Sequence, residues 1–129
     1  AYVIRRGRQR SAWPLSFSEK ALRRLESTKA LMRPDTARAF GIAASELLRD
    51  YTEKRFHVVT TRRTTEEFLH DLLQSSNDAL AGHRALLAQF LRQCDFVKFA
   101  GDSLTVTDME SLFQSARSFV LETGESAVA

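Results

Sequence analysis

Apolar and polar side chains recur with a helical period along much of the chain, most regularly over residues 35–55. The apolar side chains that would share one helix face there are Phe40, Ala44, Leu47, Leu48 and Tyr51. Charged residues occupy most of the opposite face, as in an amphipathic helix. The pattern predicts a helix over residues 35–55, about 30 Å long at the usual rise per residue. Because Asp35 follows Pro34, we expect Asp35 to cap this helix.

Two further segments combine an apolar stripe with a helix start signal. The first helix is expected to begin near Ser16 or Ser18, whose hydroxyl groups can accept hydrogen bonds from the amides of a first turn. Its apolar stripe is Leu22, Leu25 and Leu31. The third helix is expected after Thr64, because Glu67 completes the spacing of a capping box. Its apolar side chains are Phe68, Leu69, Leu72 and Leu73, and the polar residues 75–78 end it.

A fourth helix is predicted over residues 79–94, and a fifth ends before Gly124. The fourth would bury Leu80, Leu87, Phe90, Leu91 and Cys94. The fifth is expected to start at Thr107, which has Glu110 three residues later. It would bury Leu112, Phe113, Ala116, Phe119 and Val120. Since amphipathic helices bury their apolar stripes against one another, the predicted fold class is all-α, a five-helix single-domain bundle.

Two short segments are open to an extended conformation. Residues 56–61 are rich in β-branched side chains, which favour strands. Residues 96–99 (FVKF) fit either an extended piece or a tight turn. The bundle is therefore expected to contain at most one short extended pair. We expect Phe96 and Phe99 to belong to the core, with the stem of Lys98 lying along it and the ammonium group in water.

Composition supports one globular domain in a reducing compartment. The chain has 129 residues, of which 43% are hydrophobic and 27% are charged, as in ordinary globular domains. Its single cysteine, Cys94, excludes an internal disulfide framework and any multi-cysteine metal site. The chain opens on Ala1 and its first methionine is Met32, so we expect it to be a piece of a longer protein.

The positive charge of the chain is concentrated at its start. Residues 1–10 hold no acid, residues 11–129 hold 15 basic and 16 acidic side chains, and the basic residues of the first ten are Arg5, Arg6, Arg8 and Arg10. The apolar residues 2–4 just before them are typical of the end of a membrane helix with a basic cluster on its cytoplasmic side. We therefore interpret residues 1–14 as a basic juxtamembrane arm whose arginines lie on the membrane surface, followed by a helical domain (15–124) and a tail (125–129). A solvated basic tail is the alternative.

The residues that would support enzyme chemistry are too dispersed to form a site. His83 and Cys94 lie on one predicted helix with backbones about 16 Å apart, far beyond the contact that proton transfer requires. Glu66 and His70 share a helix face but supply only part of a metal site. Neither a glycine-rich phosphate loop nor a nucleophile elbow occurs in the sequence. We therefore expect a non-enzymatic domain with no catalytic residues, no cofactor and no metal.

DNA binding is the alternative function. The predicted third and fourth helices have the lengths of a helix-turn-helix or winged-helix-like regulator. The side chains that would project from the second of them are His83, Arg84, Gln89, Arg92 and Gln93. Against this alternative, the connection lacks a tight glycine-containing turn, and residues 11–129 have no surplus of basic side chains to bind phosphates. We therefore expect a protein partner and no nucleic acid.

Polar and aromatic side chains meet at the end of the second predicted helix. Arginine and tyrosine are favoured where proteins bind partners. The candidate partner-binding residues are Arg49, Arg55 and Lys98. In the alternative interpretation, which we favour, Tyr51 and Phe56 pack in the core while Arg55 pairs with a nearby acid. The acids that we expect within reach are Glu67 and Asp95.

Three strings of residues together resemble the cytosolic helical domain of BatD-like bacterial inner-membrane proteins. They are residues 45–56 (SELLRDYTEKRF), 64–69 (TTEEFL) and 94–100 (CDFVKFA). The likeness spans about residues 30–122, and the second and third strings are its most specific parts.

The resemblance implies a location and a kind of partner. BatD-like proteins of this type carry a single membrane span just before the domain, and their genes typically accompany those of a MoxR-type AAA+ ATPase and of von Willebrand factor A-domain proteins. The resemblance assigns no catalytic residues, no binding face and no oligomeric state. From it we expect a domain on the cytosolic face of the bacterial inner membrane that binds one of those two proteins.

Overall fold

The computed structural model describes residues 15–57, 64–74, 78–100 and 104–125, apart from the side chains at 73, 78, 79, 99 and 100. The helices are α1 (Phe17–Ser27), α2 (Ala37–Phe56), α3 (Thr65–Leu73), the one-turn α4 (Asp78–Ala81), α5 (Arg84–Ala100) and α6 (Val106–Thr123). Two 3-10 turns, Thr28–Leu31 and Pro34–Thr36, connect α1 to α2. Within these described ranges there are five helices longer than one turn and no strand, so the all-α prediction is confirmed.

The central helix of the bundle is α2. It packs against α1, α5 and α6, and α3 lies against α5. The apolar stripe predicted for it is buried: Phe40, Ala44, Leu47, Leu48 and Tyr51. At Gly41 the helix comes close to α5, because a Cβ atom there would lie 3.4 Å from the carbonyl oxygen of Cys94 and 3.6 Å from Val97.

Two of the predicted helix starts are confirmed. The Ser16 hydroxyl accepts a hydrogen bond from the Glu19 amide (3.1 Å), and the Glu19 carboxylate accepts one from the Ser16 amide (2.9 Å). Thr64 and Glu67 form the same reciprocal pair at the start of α3. Each pair satisfies backbone amides that the first turn leaves without an intrahelical partner.

The predicted start of the last helix at Thr107 is wrong. The capping box is formed two residues earlier, by Thr105 and Asp108. Leu104, just before the cap, packs against the core to which the buried Met109 belongs. These two positions are those of a hydrophobic staple, which stabilises the earlier start. The predicted end before Gly124 is confirmed.

The predicted cap of α2 is also wrong. Asp35 lies in a 3-10 turn, where its carboxylate faces Arg33 at 3.5 Å. The helix begins at Ala37, and the hydroxyl of the preceding Thr36 donates to the Leu31 carbonyl (2.8 Å) without capping the helix. The 3-10 turn after Pro34 thus takes the place of the first helical turn that the sequence predicts.

The end of α2 differs from the expected extended segment. Phe56 is the last residue of the helix, and His57 adopts a left-handed conformation (φ 56°), with its amide donating to the Glu53 carbonyl. A left-handed residue at this position is a common helix stop. Residues 58–61 of the expected extended segment lie outside the described residues.

The helix predicted over about residues 79–94 starts where expected, but it is not a single helix and it does not end at Cys94. One turn, α4, is followed by a turn at Gly82 and His83, and the longer helix α5 continues to Ala100. Glycine weakens a helix by about 1 kcal/mol relative to alanine, which fits the interruption at Gly82. The extra turns after Cys94 bury Val97, so the expected extended conformation of residues 96–99 is also wrong. The side chain of Phe99 lies outside the described residues.

The start of α1 and the end of α6 lie together at one end of the bundle. The Glu125 carboxylate accepts hydrogen bonds from the amides of Phe17 (2.8 Å) and Ser18 (3.1 Å). Nearby, the Tyr51 hydroxyl is hydrogen-bonded to the Thr123 hydroxyl at 2.8 Å. The predicted arm, residues 1–14, therefore joins the bundle at the end where α6 finishes.

Candidate protein-binding groove

An open groove of about 530 Å³ lies between α5 and the start of α6. On the α5 side it is lined by Gln89, Arg92, Gln93 and Phe96, and on the α6 side by Leu104, Asp108, Ser111 and Leu112. The four α5 side chains occupy positions i, i+3, i+4 and i+7, so they form one stripe along the helix. This stripe lies on the side of α5 away from its fully buried residues.

Phe96 is the most exposed large apolar side chain among the described residues. It is 60% exposed, whereas the neighbouring Cys94 and Val97 are fully buried. The prediction that Phe96 belongs to the core is therefore wrong. Because residues 96–99 are helical, Phe96 is turned about 200° from Cys94 around the helix axis. The same turn that buries Val97 places Phe96 in the groove.

An ion pair between helices occupies one side of the groove. The Glu66 carboxylate on α3 accepts two hydrogen bonds from the Arg92 guanidinium, at 2.8 and 3.0 Å. These hydrogen bonds and the charge of Arg92 lower the pKa of Glu66, and in return raise the pKa of Arg92. The positive charge of Arg92 is thus neutralised by Glu66, which does not line the groove.

The opposite side of the groove carries a carboxylate without a cation. Asp108 accepts a hydrogen bond from the Thr105 amide at 3.1 Å as part of the capping box, and it forms no ion pair with any described residue. Gln89, Gln93 and Ser111 add neutral groups that can both donate and accept hydrogen bonds. The groove is therefore apolar at Phe96 and the two leucines, polar at its sides and slightly acidic.

Two of the candidate partner-binding residues belong to a polar network between α2, α3 and α5. Arg49 donates to the Thr65 hydroxyl at 2.8 Å and lies over the Phe68 ring, 5.3 Å from its centroid. The same hydroxyl is hydrogen-bonded to Asp95, which also forms an ion pair with Lys98 at 3.0 Å. Arg49 and Lys98 are both partly buried. In the structure Arg49 joins α2 to α3, whereas Lys98 pairs with Asp95 of its own helix, α5.

Arg55 lies in the last turn of α2. Its guanidinium is 5.1 Å from the centroid of the Phe56 ring, within the range of a cation–π contact. The buried Tyr51 packs edge-to-face on the same ring, and burial raises the pKa of its hydroxyl despite the nearby charge of Arg55. The packing of the two aromatic residues in the core is confirmed.

The acids expected to pair with Arg55 are engaged elsewhere. Glu67 caps α3 through the Thr64 amide, at 3.1 Å, and Asp95 binds Thr65 and Lys98. The Nε atom of Arg55 is buried without a hydrogen-bond partner. The aromatic contact thus replaces the predicted ion pair.

The residues considered for catalysis are separated in the structure. Cys94 is fully buried, as expected, and burial raises the pKa of its thiol to about 12, so the thiol is protonated at neutral pH. His83 precedes α5 rather than lying on one helix with Cys94, and its Nε2 atom is 3.0 Å from the Glu122 carboxylate of α6. His70 is exposed, while Glu66 is bound to Arg92. The described part of the chain contains no group of three metal-ligating side chains.

The arginines predicted to lie on the membrane surface are outside the described residues. This applies to Arg5, Arg6, Arg8 and Arg10. Among the helices of the described residues, none is long and apolar enough to cross a bilayer.

Comparisons of the chain with protein-family models, with curated proteins and with solved structures found no match.

The groove is the feature that sequence reasoning missed. Its signal was present, because Gln89, Arg92, Gln93 and Phe96 follow the spacing of one helix face. The signal becomes readable only if the helix is extended past Cys94. With residues 96–99 taken as extended, the stripe breaks and Phe96 is assigned to the core.

Proposed function

We propose that the chain is a non-enzymatic protein-interaction domain on the cytosolic face of the bacterial inner membrane, and that the groove between α5 and α6 receives its protein partner. The observation that carries this proposal is Phe96, which is 60% exposed beside the leucines of an open groove. An exposed aromatic ring next to a recess is typical of an interface anchor, since aromatic residues bury much area at little conformational cost.

The chemistry of the groove indicates the kind of segment that it accepts. Leu104 and Leu112 provide an apolar surface beside Phe96, and the amides of Gln89 and Gln93 can bind a peptide backbone. Residues 78–129 as a whole carry four basic and seven acidic side chains. We therefore propose an apolar partner segment flanked by basic residues. By the resemblance to BatD-like proteins, this segment belongs to the MoxR-type ATPase or the von Willebrand factor A-domain protein.

The position of the groove fits a membrane-anchored domain. The arm joins the bundle near Glu125, while Leu104 and Asp108 lie at the start of α6. Asp108 lies 15 residues before Thr123, the last residue of α6, which corresponds to roughly 22 Å along the helix. A partner in the groove would thus bind away from the point where the arm holds the domain.

Replacing the anchor tests the proposal. We expect Phe96→Ala to weaken binding of the purified ATPase or A-domain protein at least about tenfold, as for an interface hot spot. The matched control is Leu121→Ala, which removes another exposed apolar side chain (43% exposed) outside the groove. Isothermal titration calorimetry with the full 129-residue chain measures both. If both variants bind the partner as tightly as the wild type, the partner does not use the groove. If the wild-type chain binds neither the ATPase nor the A-domain protein, these two proteins are not its partners.

DNA binding is the alternative that the same preparation distinguishes. A helix-turn-helix regulator would lose affinity steeply as salt rises, because phosphate contacts release counterions. Of the residues expected to face DNA, Arg92 is bound to Glu66 and His83 to Glu122. We expect no salt-dependent change in the fluorescence anisotropy of a labelled DNA duplex at micromolar protein concentrations. A steep negative slope would favour the regulator.

A further inference from the structure

Charge is distributed unevenly along the chain. Residues 1–14 contain four basic and no acidic side chains, and residues 17–31 contain four basic and two acidic ones. Residues 32–77 are balanced at seven of each, and residues 78–129 hold four basic and seven acidic side chains. The positive surplus therefore belongs to the arm and to α1 with the turn after it.

The basic side chains of α1 are on its outer face. Lys20 and Arg23 are exposed, and they lie on the side of the helix opposite the buried Ala21 and Leu25. Neither Lys20 nor Arg23 forms an ion pair with a described residue, whereas the adjacent Arg24 is 3.0 Å from Asp50. Lys20 and Arg23 thus face outward, without an ion pair of their own in the described part of the chain. The two exposed carboxylates near them are engaged, since Glu19 accepts a hydrogen bond from the Ser16 amide and Glu26 pairs with Lys29.

This face continues directly from the arm. The capping box of Ser16 and Glu19 and the hydrogen bonds from Phe17 and Ser18 to Glu125 hold the first turn of α1. Lys20 follows one turn later, and Phe17 is 36% exposed at the same end. A surface that binds the arm therefore lies next to the outer face of α1.

We propose that the outer face of α1, through Lys20 and Arg23, lies against an anionic lipid bilayer, so that the membrane orients the domain as well as holding it. This inference rests on the membrane location in the proposed function. Basic side chains near an anionic surface are attracted within about one Debye length. The α5–α6 groove opens on the flank of α6 that carries Asp108 and Ser111. The turn that follows α1 lies on a different flank, where the Lys29 ammonium group is 5.1 Å from the centroid of the Phe113 ring. Docking through α1 therefore leaves the groove accessible to a protein partner.

Vesicle binding of the full 129-residue chain tests the inference. Vesicles of phosphatidylcholine with phosphatidylglycerol are compared with vesicles of phosphatidylcholine alone, in sedimentation assays at low salt. We expect Lys20→Gln combined with Arg23→Gln to lower the partition coefficient on the anionic vesicles on the order of tenfold. The control combines Arg33→Gln with Arg38→Gln, which removes the same charge from exposed residues around the start of α2. We expect this control to change binding less than about twofold.

A third variant separates this inference from the proposed function. Replacing Arg5, Arg6, Arg8 and Arg10 by glutamine removes the charge of the arm. If the wild-type chain does not prefer anionic vesicles, or keeps its preference in the arm variant, the membrane contact in the proposed function is wrong. If the arm variant loses binding but the α1 variant behaves like its control, only the role of α1 is wrong. Circular dichroism at 222 nm verifies that all variants keep their helix content.

Discussion

The two sides of α5 carry similar apolar side chains in opposite surroundings. On the inner side, Cys94 and Val97 are fully buried against α2, where Gly41 allows a close approach. On the outer side, Phe96 is 60% exposed beside an open groove. All three residues lie within four positions of one another. The comparison shows that the direction of a side chain around the α5 axis, toward α2 or away from it, decides whether it stabilises the fold or is available to a partner. Apolar character alone does not decide this.

The largest effect that we expect comes from the inner side. Leu91→Ala removes a fully buried side chain of α5 and should lower the free energy of unfolding by about 2–5 kcal/mol. Phe96→Ala should change it by less than about 0.5 kcal/mol, as for an exposed side chain. Urea unfolding followed by circular dichroism measures both. A loss of more than about 1 kcal/mol for Phe96→Ala would mean that the ring is part of the core.

The same contrast between closed and open surroundings applies to two glycines. A Cβ atom on Gly124 would lie 2.9 Å from the Cβ of Ser18 and 2.9 Å from the Val120 carbonyl oxygen, so α1 or α6 must shift. We expect Gly124→Ala to destabilise the protein by about 1–3 kcal/mol. Nothing lies within 4 Å of the corresponding position on Gly82, and Gly82→Ala should change stability by less than about 1 kcal/mol. Thermal unfolding compares the pair, and equal effects would contradict the close contact of α1 with α6.

The smallest effect that we expect is on stability at low pH, and it arises at the end of the bundle where α1 begins and α6 finishes. Burial by itself raises the pKa of Glu125, but hydrogen bonds from backbone amides, including those of Phe17 and Ser18, outweigh it and lower the pKa below the ordinary value of 4.5. A lowered folded-state pKa adds stability that is present above the unfolded-state value and is lost as the pH falls through the folded-state value. We expect Glu125→Gln to remove this part of the acid dependence of unfolding.

A matched substitution controls the acid measurement. Glu110→Gln makes the same charge change on an exposed side chain of α6 without a backbone amide bound to it. Urea midpoints between pH 3 and 7 are compared for the wild type and both variants. If Glu110→Gln alters the profile as much as Glu125→Gln does, the amide hydrogen bonds of Glu125 are not the cause.

Local features of the fold were predictable because they depend on near neighbours in the chain. Ser16 with Glu19 and Thr64 with Glu67 form capping boxes from side chains three residues apart. The buried stripe of α2 follows from the helical period alone. The start of α6 was harder, because Thr105 and Thr107 both have an acid three residues later. The helix starts at Thr105 because Leu104 and Met109 then pack in the core. The three-residue spacing of a capping box gives no information about that burial.

The candidate site was less predictable because its parts are distant in sequence. The exposure of Phe96 requires α5 to continue to Ala100, and the sequence around it also fits an extended segment. Arg92 forms hydrogen bonds with Glu66, 26 residues earlier, and Asp95 forms one with Thr65, 30 residues earlier. Such pairs form only when helices meet, so a pattern of one helix does not reveal them.

By itself the sequence determined most of the helices, the capping boxes at Ser16 and Thr64 and the fold class, because hydrogen bonds and side-chain stripes within a helix involve residues at most four apart. Only the tertiary structure decided which face of α5 is open, why Arg49 connects α2 to α3, and where the groove lies. The physical reason is that these features depend on the approach of α2 to α5 at Gly41 and of α3 to α5 at Arg92. They are properties of packed helices, and no helix has them alone.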